Sequence, residues 1–301
     1  MKYRNLKYTF NVIGMSVVTF LAIKEFCYLA LSRIPFREGS VLSALLYMMV
    51  FVFACLVPVV IMENMLGLHP RLFRRTEPSL SAGAVTFGYL LILAAGIANS
   101  LVLAALSLAG LDFAPREMVF PQGAGRLVIY YIYVCILPAL LEEIFIRGYV
   151  VNALKGYGTA FAVVASSVCF SLMHASLENF VVYFACGVIL ALVYLSFDSL
   201  LPAMALHCLN NSVSFFLSYF RLRVNAVSAL SMITFVYVFA IVMGYNGYRI
   251  LKRNGVKLTA CISRENDTKG KLAVFAKSYV AVAALCLLLF FAALGSYNSL
   301  I

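Results

Sequence analysis

Residues 126–150 have the sequence RLVIYYIYVCILPALLEEIFIRGYV, in which charged residues stand inside a long apolar run. The stretch is long enough to cross a bilayer, which takes about 20 mostly apolar residues. Placing one charged side chain at the centre of a membrane helix costs about 2.5–3.5 kcal/mol, so such residues usually serve a function. This stretch therefore predicts a membrane-spanning helix with a polar site inside it.

The composition of the whole chain gives the same indication. Of 301 residues, 64% are hydrophobic and 12% are charged, whereas a soluble domain has about 45–50% apolar and about 25% charged residues. The chain cannot cover a water-soluble surface, and we expect an all-α, polytopic bundle of about 8–9 spans. The shorter fifth to seventh runs leave open eight spans plus a re-entrant or tilted piece. The candidate runs are 8–32, 41–62, 82–109, 126–150, 158–175, 179–197, 200–220, 226–248 and 272–294.

The net charge of +11 is carried mainly by loops between the apolar runs. If the N-terminus is cytoplasmic, the inner loops hold more than twice as many Lys and Arg residues as the outer loops, as the positive-inside rule requires. We therefore predict a multi-pass protein of the cell membrane with a cytoplasmic N-terminus. The basic inner loop 249–271 is expected to meet anionic lipids. No nucleic-acid-binding motif is visible, and nucleic acid is not an expected partner.

The sequence divides into three stretches rather than into domains separated by linkers. We predict N-terminal transmembrane helices at 1–124, a central core at 125–217, and C-terminal transmembrane helices at 218–301. The eight cysteines form no C-x-x-C pair, and most lie in apolar runs. Buried cysteines usually behave as small hydrophobic residues, so we expect neither a disulfide framework nor a cysteine-based zinc site.

Helix geometry separates the charges of the central run into two groups. Glu143 and Arg147 are four residues apart, so they share a helix face and can pair. Glu142 is turned by about 100° from Glu143 and faces a different neighbour. We interpret Glu142 as a candidate general base. The alternative is an ion pair that only fixes the fold, with a second glutamate at a helix interface.

Two of the three histidines lie in apolar runs as well. His174 ends the run containing CFSLMHAS (169–176), and His207 lies in LLPAMALHCLNNS (200–212). His207 and Asn211 share a helix face and can hold a developing oxyanion. His174 can share a water molecule with Glu142. The alternative is that each histidine makes an ordinary hydrogen bond between membrane helices.

These residues resemble, in this order, the CPBP family of intramembrane proteases, which comprises the type II CAAX prenyl endopeptidases and their bacterial relatives and is also called the Abi family. The family pattern is E-E-x-x-x-R, then F-x-x-x-H, then H-x-x-x-N. The chain has Glu142, Glu143 and Arg147, then Phe170 and His174, then His207 and Asn211. The resemblance implies that Glu142 and His174 activate water and that His207 and Asn211 form the oxyanion hole. It implies that Glu143 and Arg147 shape the site, with Phe170 packed beside it.

The resemblance implies a hydrolase of the glutamate type or of the metal-dependent type. We predict no cofactor; the alternative is zinc bound by Glu142, His174 and His207. The expected substrate is a membrane-associated protein or peptide, and bacterial relatives are associated with bacteriocin processing or immunity. Two other functions are considered, namely a catalytically silent scaffold or immunity protein of the same fold, and a proton-coupled transporter. A transporter should show an inverted repeat, and none is visible.

Overall fold

A computed structural model describes residues 4–36, 40–111, 113, 119–261 and 268–300. All regular structure in these residues is helical, which confirms the predicted all-α class. A short 3₁₀ turn, Leu258–Cys261, follows the eighth helix. The helices are α1 (Arg4–Ser32), α2 (Val41–Leu66), α3 (Pro78–Leu108), α4 (Ala124–Lys155), α5 (Thr159–Met173), α6 (Phe180–Phe197), α7 (Leu200–Arg221), α8 (Ala226–Arg253), α9 (Thr268–Ala276) and α10 (Tyr279–Leu300).

The number of membrane-spanning helices is close to the smaller predicted number. Seven described helices are long and apolar enough to cross a membrane, and α9 with α10 forms an eighth candidate that bends by 82°. The remaining apolar helix, α5, has 15 residues and is only about 22 Å long, shorter than the apolar layer of a bilayer. By length and composition, the described ranges therefore contain seven or eight candidate spans, and α5 is a shorter apolar helix beside them.

The chain folds into two compact units that alternate along the sequence. Unit one contains Met1–Pro70, Val119–Ala162 and Arg264–Leu287. Unit two contains Arg71–Met118, Val163–Ser263 and Leu288–Ile301. The division of the sequence into 1–124, 125–217 and 218–301 stays a prediction.

Unit one is built on close contacts of α1. A Cβ atom on Gly14 would lie 2.6 Å from the Cα of Ala281, so only glycine allows the two backbones to approach this closely. Phe10 packs edge to face against Phe275, with ring centroids 5.5 Å apart. Phe20 contacts Phe145 of α4. These apolar contacts place α4 and its charged residues inside the unit.

Unit two is organised around α3, which packs on α8 through glycine. A Cβ atom on Gly247 would lie 2.5 Å from the carbonyl oxygen of Gly83, so the two helices touch backbone to backbone. A second close contact joins α5 to α6, because a Cβ atom on Gly187 would lie 2.9 Å from the Cβ of Ser167. Small residues at such crossings are typical of membrane helices. The contact at Gly187 sets how α6 lies against the histidine-bearing end of α5.

The helix α4 contains two π-helical segments. It is π-helical at Ile132–Ile136 and again at Ile144–Val151, with an α-helical segment, Leu137–Glu143, between them. Pro138 stands at the start of that middle segment. Proline has no N–H group, so it frees carbonyl groups one turn earlier, where the first π segment lies. Pro138 thus accounts for the first π segment, whereas the second, directly after the two glutamates, contains no proline.

Candidate active site

The acidic half of the candidate site belongs to α4 in unit one. Arg147 donates from Nη1 to Oε1 of Glu143 across 2.8 Å, and both side chains are fully buried. This is the i,i+4 pair that the spacing predicts. In a medium without water the two charges need each other, because an uncompensated buried charge is strongly destabilising. The pair therefore gives each of these two buried side chains a partner within the helix.

Glu142 differs from its neighbour in its surroundings. It is half-buried, whereas Glu143 has no exposed surface. The π segment Ile144–Val151 begins one residue after the glutamates. Single π turns inside α-helices frequently occur at functional sites, because the wider turn re-aims the side chains near it. Glu142 is thus a half-buried carboxylate just before a π-helical segment.

The histidine half belongs to unit two and is organised by Phe170. The Phe170 ring lies edge-on to the His174 imidazole at 4.7 Å and to the His207 imidazole at 5.8 Å, measured between centroids. Phe170 and His207 are 2% and 3% exposed. One aromatic side chain therefore contacts two histidines from different helices. Among the predicted site residues of this unit, the structure brings Phe170, His174 and His207 together.

The hydrogen bond of His174 determines which ring nitrogen carries the proton. Its Nδ1 lies 2.8 Å from the carbonyl oxygen of Phe170. A carbonyl oxygen only accepts, so Nδ1 must carry the hydrogen and donate it. In the neutral imidazole the lone pair then belongs to Nε2. His174 is thereby prepared to accept a proton or a hydrogen bond at Nε2.

A left-handed residue places His174 outside the regular helix. The helix α5 ends at Met173, and Ala175 has φ +50°, a backbone conformation that residues with a Cβ atom seldom adopt. Asn99 of α3 supports the following loop by donating to the carbonyl oxygen of Glu178 across 3.2 Å. The chain therefore turns sharply after His174, and the turn is held by a buried side chain from another helix.

Asn211 lies one helical turn after His207 on α7, as the sequence predicts. The side chain of Asn210 donates weakly to Oδ1 of Asn211, across 3.4 Å. An amide that accepts through its oxygen keeps its NH₂ group for donation. Asn211 is half-buried, so its NH₂ group is a suitable donor for a negatively charged oxygen.

The first and third motifs lie within helices, the second begins in α5 and ends directly after it, and a family comparison covers all three. Residues 124–213 match a family model described as type II CAAX prenyl endopeptidase Rce1-like. These residues, just under a third of the chain, are similar to that family. The predicted CPBP resemblance is confirmed, while the bacterial-type subclass stays a prediction. No curated protein and no solved structure matches the chain.

The matched region, 124–213, is divided between the two units. Glu142, Glu143 and Arg147 lie in unit one, and the other motif residues, Phe170, His174, His207 and Asn211, lie in unit two. The contacts within each group are those given above. The catalytic roles of the individual residues stay predictions.

One residue of the matched region has a contact that the sequence does not predict. The Tyr183 ring of α6 stacks on the His174 imidazole, with centroids 4.2 Å apart and planes 25° apart. The His174 imidazole thus contacts two aromatic rings, those of Tyr183 and Phe170. No signal in the sequence distinguishes Tyr183 from the other 17 tyrosines, because the stack depends on how α6 crosses α5 at Gly187.

We expect Tyr183 to position His174 for catalysis. Aromatic pairs contribute about 0.5–1.5 kcal/mol beyond area burial, so Tyr183→Leu should lower kcat/KM by about 2–12-fold, whereas Tyr183→Phe keeps the stack and most of the activity. The measurement is cleavage of a membrane-presented peptide by both variants, together with their thermal stability. Equal activity of the Leu variant and the unaltered protein would show that the stack has no positioning role.

The two histidines of the matched region are its candidate metal ligands. His174 and His207 are the side chains of unit two with a nitrogen suited to zinc. Within each unit, the residues that the structure describes include no group of three His, Cys, Asp or Glu side chains arranged for a metal ion. The predicted zinc alternative is therefore tested by a chelator in the cleavage assay below.

Proposed function

We propose that the chain is an intramembrane endopeptidase that hydrolyses a peptide bond of a membrane-associated protein or peptide. The family match indicates a protease, and the apolar helices indicate a multi-pass membrane protein. The residue roles, the substrate class, the location in the cell membrane and the cytoplasmic N-terminus belong to the proposal. One observation carries it, namely that the match at 124–213 contains all three motifs in the family order.

In the proposed reaction, Glu142 is the general base and His174 orients the attacking water. The carboxylate of Glu142 takes one proton from water, while the water donates its other hydrogen to Nε2 of His174. The water oxygen forms a bond to the carbonyl carbon of the substrate, and the carbonyl oxygen becomes negative. The C–N bond then breaks, and the proton held by Glu142 passes to the leaving nitrogen.

The negative oxygen needs donors, and His207 with Asn211 is proposed to supply them. Hydrogen-bond donors that are held in place in a site without water stabilise a developing oxyanion far better than donors in water. The burial of His207 supports this assignment, and so does the bond in which Asn211 accepts through Oδ1 and keeps its NH₂ group as a donor. Glu143 and Arg147 are proposed to shape the site, because their buried ion pair holds the helix turn that carries Glu142.

A cleavage assay separates this function from a catalytically silent scaffold. The purified protein is incubated with a library of membrane-presented peptides, with and without a chelator, and the products are identified by mass spectrometry. We expect cleavage at defined positions that persists with the chelator and is lost in His174→Ala and His207→Ala. Cleavage that stops with the chelator and returns with zinc would favour the metal-dependent form. An unaltered rate in both histidine variants would refute the proposed roles.

A further inference from the structure

A cavity lies in unit two, and none of the residues that line it belongs to the three motifs. It has a volume of about 390 Å³ and lies between α3, α6 and α8 and the segment that follows α8. Its walls are mainly hydrocarbon side chains, and its polar rim contains two exposed lysines, Lys252 and Lys257. The apolar wall is formed by Phe87, Leu91, Ile189, Leu192, Leu251 and Leu258.

The helix ends around the cavity lie on one side of the membrane. Gly83, near the start of α3, contacts Gly247, near the end of α8. Farther along α3, Leu90 contacts Gly244, which is earlier in α8, so the two helices are antiparallel. The rim therefore lies where α8 ends and α3 begins.

The cavity extends from this surface into the apolar layer. Ile189 stands about 12 Å before the end of α6, and Leu91 stands about 20 Å after the start of α3, at 1.5 Å per residue. Ser196, near the end of α6, donates to the carbonyl oxygen of Leu258 across 3.2 Å, which ties the segment after α8 to α6. A ligand inside would thus have one end at the lysines and the other at membrane depth.

The second lysine is brought to the rim by a glycine turn. Gly255 has φ +69°, and the N–H of Val256 donates to the carbonyl oxygen of Leu251 across 2.9 Å. This is the helix-ending turn in which glycine is preferred. Lys252 stabilises the last turn of α8 through the helix dipole. Lys257 lies beyond the helix, so the dipole does not explain its position on the same rim.

We propose that this cavity binds one acyl chain of an anionic phospholipid, with the headgroup phosphate on Lys252 and Lys257. An acyl chain has no polar groups and matches the hydrocarbon wall. A peptide is a poorer match, because its backbone N–H and C=O groups would lack partners there. A zwitterionic lipid brings its own cation and leaves the two lysines less well neutralised. Both lysines belong to the basic loop 249–271, which is predicted to attract anionic lipids.

Native mass spectrometry of the purified protein tests the site. The protein is titrated with phosphatidylglycerol or phosphatidylcholine having the same acyl chains. Three variants are compared: Lys252→Gln with Lys257→Gln, Leu192→Phe, which fills the cavity, and Arg221→Gln with Arg223→Gln, which removes two charges elsewhere in unit two. Thermal unfolding of each variant shows whether it folds.

We expect the unaltered protein and the Arg221/Arg223 control to bind phosphatidylglycerol more tightly than phosphatidylcholine. Each lysine near an anionic lipid contributes about 1 kcal/mol, so the lysine variant should bind phosphatidylglycerol about 30-fold more weakly. Leu192→Phe should bind both lipids more weakly, because it occupies the space of the chain. Equal binding of the two lipids, or equal binding by the lysine and control variants, would overturn the proposal.

Discussion

Replacing Glu142 by glutamine should abolish measurable peptide cleavage while the protein still inserts and folds. Glutamine has nearly the same shape as glutamate but cannot take a proton from water at neutral pH. A positioned general base contributes about 10²–10⁴-fold to a rate, so a loss of at least about 100-fold is expected. The measurement is kcat on a defined membrane-presented peptide, with thermal unfolding of the same preparation.

Two comparison variants make the result specific to Glu142. Glu25→Gln makes the same chemical change in unit one, at a partly exposed residue that pairs with Lys24 at 3.2 Å. It should leave turnover unchanged. Glu143→Gln should lower stability strongly, since its partner is buried, whereas Glu142→Gln should not. If Glu142→Gln cuts the peptide at the normal rate, the carboxylate is not the base and the proposed mechanism is wrong.

The fold could be predicted from the sequence because lipid imposes a simple rule. A backbone surrounded by hydrocarbon must satisfy its own hydrogen bonds, so long apolar runs become helices. The rule is weaker for short runs, so the sequence leaves open whether the run at 158–175 crosses the membrane. In the structure this run is a 15-residue helix that ends at Met173. Its end depends on the left-handed turn at Ala175 and on the support from Asn99, which lies in a distant part of the sequence.

The site could be predicted only where its residues lie close in sequence. The spacing of Glu143 and Arg147 was sufficient to predict their ion pair. Contacts between helices are not encoded by spacing, so the stack of Tyr183 on His174 could not be foreseen. The contact of Phe170 with both histidines also depends on how α5 and α7 pack. Local rules find the candidate residues, and packing decides which atoms of each residue are presented.

The second large effect is expected at the ion pair of Glu143 and Arg147. Both side chains are fully buried, and the bond between Nη1 and Oε1 is 2.8 Å long. Breaking such a pair by removing one partner lowers the free energy of unfolding by about 3–5 kcal/mol. Glu143→Gln should be the more harmful change, because a guanidinium group keeps its charge in proteins.

The double variant Glu143→Leu with Arg147→Met separates stability from function. Replacing a buried ion pair by apolar side chains of similar volume is often neutral, so the double variant should be more stable than either single variant. Equilibrium unfolding in mild detergent gives the three free energies, and equal losses in all of them would contradict a coupled pair. If the double variant is stable but cleaves peptide slowly, the pair orients the helix turn of Glu142. If it is stable and fully active, the pair serves only the fold.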